Sequence, residues 1–487
     1  MYQYIKNTSL LKKYLFIGFS LHLISSYFSI GFYSDDEHYQ ILEPVAYLLG
    51  INDILLKDNS HWYWEWELKM RPWLQPYMYY YIISILKLLG LNNPFIWTYI
   101  IRLLSSIIGF ISIIYLFSTF KNIFFKKDTH FNYLIFFSFW FFPFLHSRTS
   151  SENIGITLFI FSFCFLYKQI VDKNIKFNFY LSFISGIILG LCLVIKLNLI
   201  FSILPILLWV LIFKFSFKKI LIISIGVLIS LTAGLIIDSI NYNEITFTYW
   251  NFFYWNIVYG RMAGFGVQPW WFYLPTIIIE LAPVLSVFFI IGLLTFWIKK
   301  PLNILTFFTL SSLLIISLFG HKETRYAFII YLFAPLFISY FFETYKNIRW
   351  TNFYKFIILF SNFFFLFLTL FTPANGKVAV YNYLYKKDIQ NSKIYYLEEN
   401  PYIINDMEPV FYTSFIPKIN KTDIEEFNKN KNNSKFWILT NSYKDYRHII
   451  KNNNCTKMYS SFPEKIINLN KNWQKHKFNW YIIYCDK

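Results

Sequence analysis

Charged residues are scarce in this sequence: Lys, Arg, Asp and Glu supply 15% of its 487 residues, against about 25% in ordinary soluble proteins. So low a share excludes the charged, water-facing surface of a soluble globular protein. Hydrophobic residues make up 56% of the chain and aromatic residues 23%. Apolar runs of about 20 residues, the length that spans a bilayer, recur along most of the sequence. We therefore expect an α-helical polytopic membrane protein.

Cysteine is rare as well, with four residues in the chain. None of them stands in a Cys-x-x-Cys or Cys-x-His spacing, so the sequence carries no zinc signature. Cys164 and Cys192 lie within apolar runs, whereas Cys455 and Cys485 lie in the C-terminal segment. The latter two could form a disulfide if that segment lies outside the cytoplasm, although the sequence alone does not establish the bond.

Acidic residues are fewer than basic ones, 27 against 45, which gives a net charge of +18. In a soluble protein this excess could indicate nucleic-acid binding, but in a membrane protein Lys and Arg collect in cytoplasmic loops. We expect a lipid bilayer as partner and no nucleic acid. Apolar runs predict about eleven transmembrane helices, at residues 14–33, 96–118, 131–146, 153–169, 178–195, 198–213, 220–238, 273–298, 302–319, 326–344 and 354–373.

The basic residues orient these helices. With the N-terminal lysines in the cytoplasm, every later basic cluster between spans falls on the same side, except the one at residues 321–325. This agreement requires that the apolar run at residues 77–91 does not span the membrane. We interpret that run as an interfacial or half-inserted helix within a first external loop, residues 34–95.

The C-terminal segment differs from the rest of the chain, because it is rich in Lys, Asn and Tyr and has no spanning run. We expect residues 1–373 to form a transmembrane domain and residues 374–487 to form a small mixed α/β domain on the non-cytoplasmic side. Alternating segments at 393–398, 435–440 and 480–485 are typical of strands.

Acidic residues gather where the first predicted helix ends on the external side, with Asp35, Asp36 and Glu37 adjacent. Asp36 or Glu37 could act as a general base that takes the proton of an acceptor hydroxyl. Gln40 and Glu43 follow at helical spacing and could hydrogen-bond sugar hydroxyls. The alternatives are acids that are merely solvated at a membrane surface, or a divalent-ion site, for which the spacing is not diagnostic.

An aromatic segment follows at residues 61–67, and Arg71 stands shortly after it. Trp64 could pack on the C–H face of a sugar or on a prenyl chain. Glu65 could bind sugar hydroxyls, and Arg71 could pair with a lipid phosphate. The alternative is an aromatic belt at the level of the lipid headgroups.

Basic residues stand in two further external segments. His321, Lys322 and Arg325 lie between apolar runs, where outside loops should carry few cations, so they suit a phosphate leaving group. Arg148, in the second segment, could support the same phosphate. The alternatives are simple flanking charge and, around Arg148, capping of a helix by the serines that follow it.

The remaining external polar residues are Asp238, Gln268 and Trp270. Asp238 ends an apolar helix, where a carboxylate is expected to be hydrogen-bonded or functional. Gln268 and Trp270 lie in a stretch rich in Gly, Pro and Trp, which is either part of a sugar-binding surface or a turn at the membrane interface.

Taken together, these segments resemble glycosyltransferase family 22, which contains the GPI mannosyltransferases and the α-mannosyltransferases of N-glycan assembly and has a GT-C fold. The resemblance covers residues 31–335. It rests on five motifs in the family's order, all on one predicted face: Asp36-Glu37 with Gln40 and Glu43; Trp64-Glu65-Trp66 with Arg71 and Pro76; residues 148–153; Asp238-Ser239 with residues 266–270; and residues 321–325 with Pro335.

The resemblance implies a polyprenyl-phosphate sugar as donor, of dolichyl or undecaprenyl type, and a glycan or glycolipid as acceptor. It implies inverting transfer of a hexose, expected to be mannose, with Asp36 as the base and Glu37 in reserve. No metal and no other cofactor is implied. Lys196 stands where the family has an arginine and would join the phosphate-binding residues, whereas Ser34 and Asp35 replace the family's His-Pro.

The wording of the first two motifs is closer to bacterial relatives, so we expect the bacterial inner membrane rather than the endoplasmic reticulum. The acidic residues at Asp36 and the basic residues at 321–325 should then contact the same lipid-linked sugar. A transporter or flippase would instead bury charges near the middle of several spans. Another GT-C transferase, modifying protein or lipid A, would share the acidic first loop, and residues 321–325 favour the mannosyltransferases over it.

Overall fold

The computed structural model describes residues 2–52, 64–125, 129–170, 178–346, 349–387, 389, 393–422, 435–452, 455–476 and 478–486. Residues 61–63 of the predicted aromatic segment lie outside this described part. The chain divides into two units. The helical unit comprises Met1–Ile24, Glu65–Gln75 and Leu103–Phe367, and the mixed unit comprises Ser25–Trp64, Pro76–Arg102 and Leu368–Lys487.

The chain is mostly helical, as its composition predicts. The helices up to residue 213 are α1 (Tyr2–Phe28), α2 (Asp35–Glu37), α3 (Glu43–Leu48), α4 (Trp64–Glu67), α5 (Leu74–Leu88), α6 (Pro94–Phe124), α7 (His130–Phe137), α8 (Phe141–His146), α9 (Ser151–Ile170), α10 (Phe179–Ile195) and α11 (Ile200–Phe213). A π-helical turn at His38–Leu42 joins α2 to α3, and a 3₁₀-helical turn at Leu197–Leu199 leads into α11.

The later helices lead into the C-terminal segment. They are α12 (Phe217–Asn241), α13 (Thr248–Phe253), α14 (Tyr273–Glu280), α15 (Pro283–Lys299), α16 (Ile304–Leu318), α17 (Phe328–Tyr331), α18 (Ala334–Thr344) and α19 (Thr351–Phe371). A π-helical turn lies at Tyr254–Val258, and 3₁₀-helical turns lie at Arg261–Phe265 and Thr324–Ala327.

Four of the described helices, α6, α9, α12 and α19, are long and apolar enough to cross a membrane. The number rises to six if two bent pairs each count as one span: α15 with α16, bent by 120°, and Thr324–Tyr331 with α18, bent by 52°. A polytopic membrane protein is thereby confirmed, whereas the total of about eleven spans stays a prediction.

The predicted helix at 131–146 is broken into α7 and α8. The side chain of Asn362 fills the break, because its Oδ1 accepts from the backbone N–H of Trp140 at 3.0 Å and its Nδ2 donates to the carbonyl of Ser138 at 2.8 Å. The backbone groups that lose their helical partners at the break are therefore still hydrogen-bonded, although no water is needed to reach them. Because residues 131–146 form an uninterrupted apolar run, their hydropathy gives no signal of this break.

The predicted helix at 273–298 is likewise divided, into α14 and α15. Pro283 is the first residue of α15, and Ala282 before it has a positive φ of 72°. Proline lacks an N–H and disfavours the helical conformation of the residue before it, so one continuous helix is excluded here.

Small residues allow a close helix contact in the helical unit, between α10 and α12. A Cβ placed on Gly186 would lie 2.3 Å from the carbonyl oxygen of Ile223, and one on Gly226 would meet the backbone of α10 in the same way. The Ser230 hydroxyl donates across the interface to the Ile187 carbonyl at 2.8 Å. Such small-residue stripes let membrane helices approach closely.

The C-terminal segment carries a small sheet with short helices, as its alternating segments predict. Its elements are α20 (Gly376–Lys386), β1 (Lys393–Tyr396), α21 (Val410–Thr413), β2 (Asn420–Lys421), β3 (Phe436–Thr440), α22 (Tyr443–Asn452), β4 (Cys455–Ser460), α23 (Glu464–Ile467), a tight turn at Lys471–Lys475 and β5 (Tyr481–Cys485). The sheet order is β2-β1-β3-β5-β4, with β1 parallel to β2 and β3, and β5 antiparallel to β3 and β4. Cys455 and Cys485 are register partners and form a disulfide.

The mixed unit has one main hydrophobic core in the part that the structure describes, built from residues 32–46, 79–101 and the C-terminal segment. Val45 of α3 and Trp97 of α6 are buried in it with Tyr381 of α20 and Trp480 next to β5. The loop that carries the predicted catalytic acids is therefore held by the residues that follow the last membrane helix.

Candidate functional site: an amphiphilic cavity in the helical unit

A cavity of about 570 Å³ lies within the helical unit. Most of its wall is apolar or aromatic, and three residues of the wall are charged: Glu152, Lys196 and Arg325. The other lining residues come mainly from α11, α13 and the turns after α13, together with the ends of α16 and α17: Ile156, Leu197, Asn198, Leu199, Ile200, Phe201, Ser202, Leu204, Phe247, Tyr249, Trp250, Phe252, Phe253, Ile257, Met262, Ile316, Phe319, Tyr326 and Ile329.

The three charged residues form one ionic cluster. Lys196 Nζ donates to Glu152 Oε1 at 2.6 Å, and Arg325 Nη1 lies 3.2 Å from the same oxygen. The side chains of Glu152, Lys196 and Arg325 are only 5%, 11% and 12% exposed. Arg325 also pairs with Glu323. Two cations thus share one carboxylate oxygen in a mostly apolar wall.

Each member of the cluster stands where a helix begins or ends. Glu152 lies in the first turn of α9, where the helix dipole favours a negative charge. Lys196 follows α10 in extended conformation, with φ −144° and ψ 92°, so its side chain leaves the helix axis. Gly155 makes room for it, because a Cβ at that position would lie 3.1 Å from the Cβ of Lys196.

Arg71 extends the cluster. A small neighbouring cavity of about 30 Å³ is lined by Arg71 and Lys196 together. The Arg71 guanidinium makes a two-point ion pair with Glu65, one bond of which joins Nε to Oε2 at 2.9 Å, and it lies 5.6 Å from the centre of the Phe252 ring. The structure therefore brings three of the predicted phosphate-binding cations, Arg71, Lys196 and Arg325, into one region.

The side chains of His321 and Lys322 make contacts that differ from those of Arg325. Lys322 donates to the carbonyls of Gln268, at 3.0 Å, and Phe319, and its partial burial lowers the pKa of its ammonium group. His321 lies 3.1 Å from the Gly266 carbonyl and 3.3 Å from Glu323. These bonds hold the 266–270 loop, to which the predicted residues Gln268 and Trp270 belong. Both are exposed, Trp270 by 71%.

Arg148 and Asp238 are buried and bind backbone groups. The Arg148 guanidinium donates to the Phe144 carbonyl and lies against the Phe144 ring. The Asp238 carboxylate accepts from the Trp73 N–H at 2.8 Å and from the Thr248 hydroxyl at 2.6 Å. Asp238 therefore joins the end of α12 to the segment that carries Arg71.

The predicted acidic site belongs to the mixed unit, and its members differ in burial. Asp36 is half-buried, whereas Glu37 is 1% exposed and accepts from the Tyr33 N–H at 2.9 Å. Gln40 is 6% exposed, and Trp64 is half-buried. Within the described residues, no group of three or more His, Cys, Asp or Glu side chains is placed to hold a metal ion.

Glu43 is fully buried and satisfied by three donors. Its Oε1 accepts hydrogen bonds from the His38 ring nitrogen at 2.7 Å and the Phe411 N–H at 3.1 Å. Its Oε2 accepts one from the Asn52 side-chain amide at 2.8 Å. This network joins residues 38–52 to α21 of the C-terminal segment. The sequence suggested a sugar contact for Glu43 and did not reveal this structural bond.

Comparison with known proteins decides the family. The model of the Alg9-like mannosyltransferase family matches residues 14–416. The chain belongs to this family. Among its relatives, GPI alpha-1,2-mannosyltransferase 3 of Mus musculus is 24% identical over 72% of the chain, and that of Bos taurus is 24% identical over 63%. GPI mannosyltransferase 3 of Debaryomyces hansenii is 25% identical over 71%.

The matched regions cover 62%, 54% and 62% of these three relatives, which is less than two thirds of their length. Among solved structures, the chain is similar to ArnT from Cupriavidus metallidurans, both in the apo state and bound to undecaprenyl phosphate. Each comparison has a TM-score of 0.55 at 10% identity and covers 98% of both chains. This likeness confirms the GT-C fold that the family member was expected to have.

Sequence reasoning named Lys196 and Arg325 but missed Glu152, which holds them together. A signal was present, because an acidic residue at the start of an apolar helix is costly and seldom without purpose. Glu152 stands within the motif at residues 148–153, in which the sequence suggests a phosphate-binding role for Arg148 alone.

Proposed function

We propose that this member of the family is a membrane mannosyltransferase. It transfers a hexose, expected to be mannose, from a polyprenyl-phosphate donor to a hydroxyl group of a glycan or glycolipid acceptor. The donor's lipid is of undecaprenyl or dolichyl type.

The observation that carries the proposal is the chemistry of the cavity wall. Lys196 and Arg325 together offer two cations at one point, and aromatic and aliphatic side chains such as Trp250 and Phe253 supply the rest. Such a wall suits an amphiphile with an anionic head and an apolar tail. A polyprenyl phosphate has that form. The likeness to a protein solved with undecaprenyl phosphate is consistent with this choice.

The reaction is a direct displacement at the sugar C1. The acceptor oxygen attacks C1 as its proton passes to a carboxylate, for which we propose Asp36, with Glu37 in reserve. The bond between C1 and the phosphate oxygen breaks, and its electron pair stays on the phosphate. Fixed positive charge from Lys196 and Arg325 stabilises that developing anion. Attack opposite the leaving group inverts the anomeric centre.

The other predicted residues receive supporting roles in this proposal. Arg71, His321, Lys322 and Arg148 contribute positive potential for the phosphate or hold its surroundings. Gln40, Glu43, Trp64, Glu65, Asp238, Gln268 and Trp270 line or support the surface for the acceptor and the sugar. For Glu43 and Asp238, whose oxygens already bind protein donors, the support is structural.

The Cys455–Cys485 disulfide supports the proposed orientation, with the C-terminal domain outside the cytoplasm. Disulfides persist in oxidising compartments and are rare in the cytosol. We place the protein in the bacterial inner membrane, with its site on the periplasmic side.

The proposal is tested with the purified full-length protein in lipid nanodiscs, given undecaprenyl-phosphate and dolichyl-phosphate sugars and a panel of glycolipid acceptors. Asp36→Asn should lower kcat by at least about a hundredfold and leave donor binding intact, whereas the matched control Asp35→Asn should stay close to wild type. A flippase would relocate the lipid-linked glycan and form no new glycosidic bond. Near-normal transfer by Asp36→Asn would refute the assignment of the base.

A further inference from the structure

Glu152 is the feature of the cavity that the proposed reaction does not use. Its Oε1 accepts Lys196 at 2.6 Å and Arg325 at 3.2 Å. Its Oε2 is buried and has no hydrogen-bond partner among the residues that the structure describes. A carboxylate kept only for stability is expected to have both oxygens bonded, because an unsatisfied buried acceptor costs about 1–3 kcal/mol.

The net charge of the cluster matches the charge of the donor lipid better than that of the product lipid. Lys196 and Arg325 contribute +2 and Glu152 contributes −1, which gives a net charge of +1. The neighbouring Arg71 is paired with Glu65, so that pair adds no net charge. Glu323 also pairs with Arg325, but its side chain is 29% exposed and more strongly screened by water.

A polyprenyl-phosphate sugar is a phosphodiester with a single negative charge, which the cluster balances. The leaving polyprenyl phosphate is a monoester with a charge of about −1.5 to −2 at pH 7, which exceeds what the cluster can balance. Without Glu152 the cluster would hold this product more tightly than the donor.

We propose that Glu152 is a positioning residue and internal counter-ion that keeps Lys196 and Arg325 directed into the cavity and speeds release of the polyprenyl phosphate product. This inference rests on the proposed function, because it assumes that the two cations bind the lipid phosphate. It adds a selective step: the site discriminates against its own product by charge.

The experiment uses the full-length protein in nanodiscs, with undecaprenyl phosphate as the probe and an undecaprenyl-phosphate sugar as donor. Glu152→Gln keeps the shape and one acceptor oxygen but removes the charge. For a charge this close in a partly buried site, we expect undecaprenyl phosphate to bind about tenfold tighter and the donor KM to fall only about threefold. We expect kcat to fall, because product release becomes slower. Glu343→Gln, which removes a charge of the helical unit outside the cavity lining, should leave all three values unchanged.

A loss of structure alone would weaken both lipids, so the opposite signs of product affinity and kcat distinguish the proposed role from a stabilising one. Equal or weaker binding of undecaprenyl phosphate to folded Glu152→Gln would overturn the inference. Glu152→Asp retains the charge and should stay within about twofold of wild type; tenfold tighter binding there would also overturn it. If the wild-type protein neither binds undecaprenyl phosphate nor transfers sugar, the proposed function itself fails.

Discussion

Replacing Lys196 tests the ionic cluster most simply. Lys196→Gln removes one of the two cations that meet at Glu152 Oε1 and leaves a side chain of similar length. A hydrogen bond to a charged group is worth about 1.5–3 kcal/mol, and each 1.36 kcal/mol changes a rate about tenfold. We therefore expect kcat/KM for the lipid-linked donor to fall by about 10- to 150-fold.

The same substitution has a cost in stability, which must be measured separately. Removing one partner of a buried ion pair costs about 3–5 kcal/mol when the other charge is left alone. Here Arg325 remains 3.2 Å from Glu152, so we expect a loss well below that range and a protein that stays folded.

Lys196→Arg is the matched control, since it preserves the charge, and the resemblance places an arginine at this position in the family. We expect it to keep kcat/KM within about threefold of wild type. The assay is sugar transfer from a polyprenyl-phosphate donor in nanodiscs, with thermal unfolding of each variant alongside. Wild-type kcat/KM in folded Lys196→Gln would refute the reasoning that this cation binds the donor phosphate.

Three further predictions concern other parts of the molecule. Glu43→Gln should destabilise the mixed unit by about 2–4 kcal/mol, because its carboxylate accepts three buried donors; an unchanged melting temperature would contradict the structural role. Cys455→Ser should lower the free energy of unfolding by about 3.6 kcal/mol, given the 30-residue separation that the disulfide closes; the unfolding midpoint should fall, and a reducing agent should lower it no further. Phe253→Ser, in the apolar wall, should raise KM for a long-chain donor by about tenfold through lost burial and leave KM for a short-chain donor almost unchanged; an equal effect on both would show that this residue does not contact the lipid tail.

The membrane helices were largely predictable, because hydropathy and length are strong local signals. The runs at 96–118, 153–169, 220–238 and 354–373 coincide with α6, α9, α12 and α19. The breaks were harder to predict. Pro283 is a visible local signal, whereas the gap between α7 and α8 depends on Asn362, which lies far away in the sequence.

The strands of the C-terminal domain were also predictable, since β1, β3 and β5 fall within the alternating segments at 393–398, 435–440 and 480–485. Their order in the sheet is a matter of long-range pairing, which alternation does not encode.

For the site, motif resemblance identified Lys196 and Arg325 as separate residues. Their meeting at Glu152 required the folded chain, because the three residues come from three different helix ends. Glu43 shows the opposite case. Its motif suggested a substrate contact, and the fold places it in a buried network with Phe411, a residue in no motif.

The most direct test of the account is product analysis with the purified full-length protein. The protein is supplied with undecaprenyl-phosphate mannose and a glycolipid acceptor in nanodiscs, and the lipid and glycan products are identified by mass spectrometry and NMR. The account predicts one new α-linked mannose on the acceptor and one undecaprenyl phosphate released per transfer, both formed at least about tenfold more slowly by Arg325→Gln. Transfer at the wild-type rate by folded Arg325→Gln, or a donor panel in which no lipid-phosphate sugar is consumed by the folded wild-type protein, would contradict it.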